Sequence, residues 1–386
     1  MDFSPDEAQQ AVTRAAAGVL EGAGPPPPAQ AWDWPLWHQL GQAGLLSLAV
    51  PDWLGGDGLG VLETAALLTE VGRHAAPVPA LATLMTGVLP VARWGDRAAQ
   101  AGVLAGVAAG DVVLTAAIRE PSDPAPESPR TTVTGGSTSS SSVSGLKVGV
   151  PAAAVARWLL VPATFEGGGT GLVVVDRTGA GVSVSTGSGP AGKGAAGDGT
   201  VRLDGAPVAF VLGEPDGRAV ADLYQLAVAG ACAVADGAVA AALAMTTAHV
   251  GSRQQFGRPL AAFQAVAQHV ADAYITARTL HLAALSGCWR LAVPPRGDDP
   301  PIPPAPPVGG LDAGSDLDVA AFWLAEHGPA ALRTCHHLHG GLGMDVSYPL
   351  HRYSALVGDL VAAVGGADYA LDRLGQRAGA GAGAGG

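Results

Sequence analysis

Between Asp222 and Val250 the chain is an almost unbroken run of Ala, Leu and Val, interrupted mainly by other small residues. A helix that is apolar around most of its circumference has no face to give to water, so this segment must be buried on most sides. The fold therefore has to wrap other elements around it. Pro259–Leu291 reads as a second long helix, and the PPRGDDPPIPPAPPVGG that follows reads as a stiff, exposed linker. Helices are expected again from Leu317 to about Arg333 and from Tyr348 to Leu374. The closing AGAGAGAGG is low in complexity and is expected to be disordered.

The first third also reads as helical. Ser4, with Glu7 three residues on, has the form of a capping box. The GAGPPPPA of Gly22–Ala29 must break that helix, because proline lacks the donor and clashes with the preceding turn. Trp34–Leu48 and Val61–His74 carry helical periodicity, separated by Pro51 and the Gly-rich turn Trp53–Gly60. Trp32, Trp34, Trp37 and Trp53 are expected as core anchors.

From about Val112 the pattern changes to short β-rich runs: VVLTAAI, VSGLKVGV, RWLLVPATF, GLVVVD, VSVST and TVRLDGAPVAFVLG. Their close spacing predicts an antiparallel barrel or sandwich, not βαβ units. Ser122–Ser142, rich in Pro, Ser, Thr and Gly, is expected to be a long mobile loop. The fold class is thus α+β and mostly α. It comprises an N-terminal helical domain (1–111), a middle β domain (112–217) and a C-terminal helical bundle (218–376) with the Pro-rich linker at 294–310, then a tail at 377–386.

The net charge of -12 argues against nucleic acid as a partner, since a phosphate backbone demands a basic face. The N-terminus carries acidic residues where a signal peptide would be basic, and the apolar stretches read as broken well short of a membrane span. Three widely separated cysteines, Cys232, Cys288 and Cys335, argue for a reducing cytoplasm and against a disulfide framework. No metal site is expected from Cys335-His336-His337-x-His339, since adjacent residues on one turn point in different directions.

Two motifs carry chemistry. The first is Arg253-Gln-Gln-Phe256-Gly-Arg-Pro-Leu260, followed by Phe263-Gln264; the second is His337-Leu-His-Gly340-Gly341-Leu-Gly343-Met. An arginine offers a permanent planar fork to a pyrophosphate, and Phe256 a flat face to an adenine ring. Gln255 and Gln264 supply amides, and Gly340-Gly341 lets backbone donors approach a dinucleotide that a Cβ would obstruct.

The α, β, α order and these motifs together resemble the acyl-CoA dehydrogenase family across nearly the whole chain. The first resembles the family's R-x-x-F-G-x-x-[LI]-x-x-[FH]-Q signature, and the second its Q-x-x-G-G-x-G-[FM] loop, with His337 in place of Gln. In that family these elements look across a subunit interface and bind the ADP half of a neighbour's FAD. The resemblance therefore implies FAD-binding roles for Arg253, Gln255, Phe256, Leu260, Phe263, Gln264, His337, Gly340 and Gly341.

The residues that would serve the chain's own flavin depart from the family pattern. The T-E-P-x-x-G-S-D loop reads Arg119-Glu120-Pro121-Ser122-Asp123-Pro124-Ala125-Pro126, and the W-I-T strand reads Gly149-Val150-Pro151. The catalytic glutamate's two family positions fall on Val364 and Tyr224, neither of which can take an α-proton as a carboxylate does. Glu214, Glu326, Asp359 and Asp368 lie in the wrong register, so no catalytic residue is assigned. The pattern resembles the non-catalytic subunit of actinobacterial α2β2 steroid side-chain acyl-CoA dehydrogenases. It implies a catalytic partner that carries most of the acyl-CoA site, with an electron-accepting flavoprotein downstream. A self-sufficient homotetrameric dehydrogenase and a flavin-free scaffold are the alternatives.

Overall fold

The computed structural model describes residues 3–22, 32–135, 141–186, 198–292 and 313–383. The N-terminal helices are α1 (Glu7–Glu21), α2 (Trp34–Gln42) and α3 (Val61–Arg73). A π-helical stretch, Leu81–Val88, then runs directly into α4 (Leu89–Trp94), and α5 (Arg97–Leu104) follows. Asp6, not Ser4, caps α1. Its carboxylate accepts from the Gln9 amide and the Gln9 side chain returns the bond, completing the box two residues later than expected. Helix α2 stops at Gln42, short of Leu48, because Gly44 turns the chain at φ +76°. Trp37 is fully buried and Trp32 and Trp34 partly so, but Trp53 is 41 % exposed, its indole N–H donating to Gln100. The break expected at Gly22–Ala29 lies mostly outside the described residues.

Among the described residues the middle region forms eight strands: β1 (Leu114–Ala116), β2 (Thr132–Thr134), β3 (Ser142–Val150), β4 (Trp158–Phe165), β5 (Thr170–Asp176), β6 (Val182–Thr186), β7 (Gly199–Pro207) and β8 (Phe210–Leu212). They make one sheet in the order β6-β7-β3-β2-β4-β5-β8. Pairing is antiparallel except that β1 and β2 each run parallel to β4, a departure from the expected all-antiparallel pattern. Strands β4 and β5 are buried on both faces. Leu160, Leu172 and Val174 belong to the main helical core, whereas Leu159, Val161, Val173 and Val175 fill the β domain's own core. Because side chains alternate across a strand, the two strands weld the domains together.

Where a mobile loop is expected at Ser122–Ser142, residues 122–135 are ordered by a buried charge and 136–140 lie outside the described residues. Glu120 accepts from the Arg130 amide (2.8 Å), the Thr131 amide (3.0 Å), the Thr131 hydroxyl (2.7 Å) and Lys147 Nζ (2.9 Å). Both charged side chains are almost fully buried. Burial alone would push the Glu120 carboxyl up, but the Lys147, Thr131 and Arg130 hydrogen bonds hold it down at about 2. Burial also lowers the Lys147 ammonium.

The C-terminal bundle comprises α6 (Arg218–Ser252), the β9–β10 hairpin (Gln254–Gln255, Arg258–Pro259), α7 (Gln264–Leu291), α8 (Ala313–His339), α9 (Leu350–Ala363) and α10 (Gly366–Gly383). Helix α7 starts at Gln264 because Pro259 and the turn after it precede the first helical bonds. Helix α8 outruns the expected Leu317–Arg333 at both ends, its start pinned by Asp316 accepting from Ser286 and Arg290. The single helix expected over Tyr348–Leu374 is two, broken at Gly365 and Gly366, both at positive φ. The last helix continues to Gly383, replacing the expected disordered tail over 377–383; Arg373 and Arg377 tie it to Asp318 of α8. The linker at 294–310 and residues 384–386 lie outside the described residues.

Helix α6 is long and apolar enough, by length and composition, to cross a membrane, so the expectation of uniformly short apolar stretches does not hold. It is instead 78 % buried among its neighbours over its most apolar window. Residues Leu350–Ala378 pass the same test of length and composition, with 22 % of the window buried. Glycines let α3 and α6 touch backbone to backbone. A Cβ at Gly237 would lie 1.8 Å from Thr69 O, and one at Gly72 would lie 1.9 Å from Val234 O.

Lys147→Met is expected to cost about 3–5 kcal/mol, because it strands a buried carboxylate. The double variant Glu120→Gln/Lys147→Met should recover much of that loss. Urea denaturation midpoints of the three proteins provide the measurement.

Candidate functional site

The two sequence motifs meet at the far end of α6. Arg253 caps this helix, exposed, with its amide bonded to His249 O. The hairpin that follows turns on Phe256 (φ 51°) and Gly257 (φ 76°), the paired left-handed conformations of a two-residue turn. Glycine takes that conformation freely; a phenylalanine does not. The turn nonetheless holds Phe256 91 % exposed. Phe263, half-buried, meets Phe256 edge to face at 6.2 Å, and the Arg258 guanidinium sits 4.0 Å over the Phe263 ring. Leu260 is half-buried, while Gln255 and Gln264 are exposed.

The glycine motif lies alongside. His249, one turn before Arg253, stacks on His339 at 4.5 Å, one residue before Gly340. His269 of α7 meets His337 of α8 edge-on at 5.8 Å. Burial, then the charges of His339 and Arg253, lower the His249 imidazole. His337, Gly340 and Gly341 are exposed, and a Cβ at either glycine would meet nothing within 4 Å. The result is an open cradle of backbone beside a cation, two side-chain amides and an unpacked aromatic ring. Around it, Leu342, Met344 and Val346 are also exposed, the last two by 80 % and 86 %. The neighbouring imidazoles are engaged. His336 bonds Gly343 O and Ser354 Oγ, and His339 bonds Cys335 O and the Tyr348 hydroxyl. Among the described residues no group of three His, Cys, Asp or Glu could hold a metal ion.

A separate cavity of about 100 Å³ opens near the start of α6, between the π-helical stretch, the β domain and α8 to α10. Both positions singled out for a missing base line it, as do Arg119, Gly149 and Pro151. Val364 is buried. The Tyr224 hydroxyl donates to Pro126 O at 2.9 Å, and burial, reinforced by Glu120 and Asp123, pushes its phenol well above the usual range. It is a fixed neutral donor, not a base. The sequence reading missed Asp318, a carboxylate in the cavity wall that no motif marks. It is clamped by Arg373 at 2.8 Å and Arg377 at 2.7 Å, so each of its oxygens already holds a guanidinium.

Arg119 matters for what it covers. Its Nη1 would lie 3.2 Å from a Cβ placed on Gly149, so the guanidinium rests where a larger side chain or a flat ring would otherwise sit. Glu120, retained beside it, points into the β domain and serves the ion pair with Lys147. Asp198, near Arg119, is pushed up to about 6 by burial and the Asp359 charge, against the pull of Arg119.

Comparison with known proteins places these features in a lineage. The family model described as acyl-CoA dehydrogenase, N-terminal domain, matches residues 6–111, and the one for the C-terminal domain matches residues 224–358. The chain is 42 % identical to acyl-CoA dehydrogenase FadE28 of Mycobacterium tuberculosis, over 98 % of this chain and 99 % of that one. It resembles a chain of the ChsE4-ChsE5 complex from Mycobacterium tuberculosis with a TM-score of 0.86 and 31 % identity, covering 98 % and 99 %. A chain of the Tcur3481-Tcur3483 steroid ACAD G363A variant gives 0.82 and 31 %, covering 97 % and 99 %.

Phe256→Gly should leave the denaturation midpoint unchanged or raise stability by up to about 1 kcal/mol, since the turn then needs no strained residue. For Asp198 the folded pKa of about 6 exceeds the ordinary 3.8. The stability this group contributes is therefore complete below that ordinary value and lost as pH rises through 6. Asp198→Asn should thus stabilise the protein at pH 8 and have little effect at pH 4. Melting temperatures across that range test it.

Proposed function

Since the chain belongs to the acyl-CoA dehydrogenase family, we propose that it is the non-catalytic subunit of a heteromeric, FAD-dependent acyl-CoA dehydrogenase. Bound FAD would supply the hydride acceptor for α,β-dehydrogenation of a CoA thioester. This chain's share would be Arg253 on the pyrophosphate and Phe256 on the adenine. Gln255, Leu260, Phe263, Gln264 and His337 would close around the nucleotide, and the Gly340-Gly341 backbone would approach it.

One observation carries the reading. Tyr224 and Arg253 stand 29 residues apart on one continuous helix and its cap, a rise of about 40 Å. That is longer than an extended flavin–adenine dinucleotide, so the adenine-side cradle and this chain's own cavity cannot serve one cofactor. The cradle is open, and the cavity has Val364 and a bonded tyrosine where a base would stand. The residues kept are therefore those useful to a neighbour. Exposed Phe256, Met344 and Val346 suit an interface that buries apolar anchors. Similarity to a chain of a two-protein complex and to a steroid ACAD supports an α2β2 assembly acting on a steroid side-chain acyl-CoA, held mainly by the partner. Three free, buried cysteines suit a reducing cytoplasm, where an electron-accepting flavoprotein would reoxidise the flavin.

Co-purified with its partner, the complex should hold one FAD per two chains, and Arg253→Ala should strip most of it. This chain alone should bind none and bleach none with acyl-CoA. One FAD per chain would establish the self-sufficient enzyme instead, and unchanged FAD in the Arg253→Ala complex would establish a flavin-free scaffold.

A further inference from the structure

Three ionised side chains line the cavity near the start of α6, and two of them, Asp318 and Arg373, satisfy each other. That leaves Arg119. Among the described residues its guanidinium makes no hydrogen bond or ion pair. Asp198 feels its charge without forming an ion pair with it. The rest of the wall is apolar, with Leu81, Ile118, Val228 and Val364 prominent, and Tyr224 turns its hydroxyl to the backbone. Part of that wall is the π-helical stretch, through Leu81, Ala82 and Thr86. Such helices are scarce and concentrate at functional sites.

A guanidinium facing an apolar cavity with no bonded partner keeps its planar fork of donors for a ligand that brings a carboxylate. A flat neutral ring does not bring it, and neither does a thioester carbonyl. We propose that this cavity binds an apolar monocarboxylate, a free aliphatic or alicyclic acid, with its carboxylate on Arg119 and its hydrocarbon body against Leu81, Val228 and Val364. The site stands independently of whether the chain donates adenine-side residues to a partner.

Calorimetric titration of the full-length chain with octanoate and with 1-octanol tests it. Octanoate should bind once per chain, and 1-octanol at least about tenfold more weakly. Arg119→Gln should weaken octanoate by about ten- to a hundredfold and leave 1-octanol unchanged, with Arg119→Lys recovering part of the loss. Val364→Phe, which fills the cavity and keeps the charge, should abolish octanoate binding, and so covers the case in which an Arg119 variant misfolds. The proposal is overturned by equal affinity for acid and alcohol, by full affinity in Arg119→Gln, by no octanoate binding, or by flavin occupying the isolated chain. Only the last of these also overturns the donor reading.

Discussion

The direct contact between α3 and α6 fixes everything else in this molecule. Gly72 and Gly237 remove the side chains that would hold the two helices apart, so each backbone rests on the other. Gly230 makes a similar approach to Leu81 and Met85 of the π-helical stretch. Close-packed interiors tolerate little change of volume, so these glycines set the position of α6, and α6 sets both sites. Its first turns carry Tyr224 into the cavity, and its last presents Arg253 to solvent. Asp222, bonded to Arg93 at 2.6 Å and to the Trp94 indole at 2.8 Å, ties the same helix to the N-terminal domain. A single rigid rod thus determines both the location and the separation of the two sites.

Most of that rod was legible in the sequence, because an apolar surface around a whole helix permits only burial. So was the α, β, α order, and so were the two motifs whose residues gather at the end of α6. The illegible parts depend on partners distant in sequence. Nothing local in Glu120-Pro121 reveals that Lys147 will turn inward to meet the carboxylate, yet that bond converts an expected loose loop into part of the β domain. The clamp of Asp318 by Arg373 and Arg377 is equally invisible, and it is what extends the last helix through an Ala-Gly repeat. Arg119 could be read as a replacement, but not as a group lying over Gly149.

The buried pair Glu120–Lys147 also accounts for the part of the flavin-loop motif that survives. A motif residue can have a structural reason of its own, independent of the chemistry around it. Here the glutamate anchors backbone amides from Arg130 and Thr131. Tyr224 likewise has a structural task, its hydroxyl holding Pro126 in place.

The turn that lifts Phe256 into water has a consequence for the life of the newly made protein. A newly made copy shows solvent a strained aromatic, with Met344 and Val346 also bare. Chaperones and proteases recognise unburied apolar side chains of this kind. The same surface is thereby a handle for quality control, and a copy that finds nothing to cover these side chains stays open to removal for as long as they are bare.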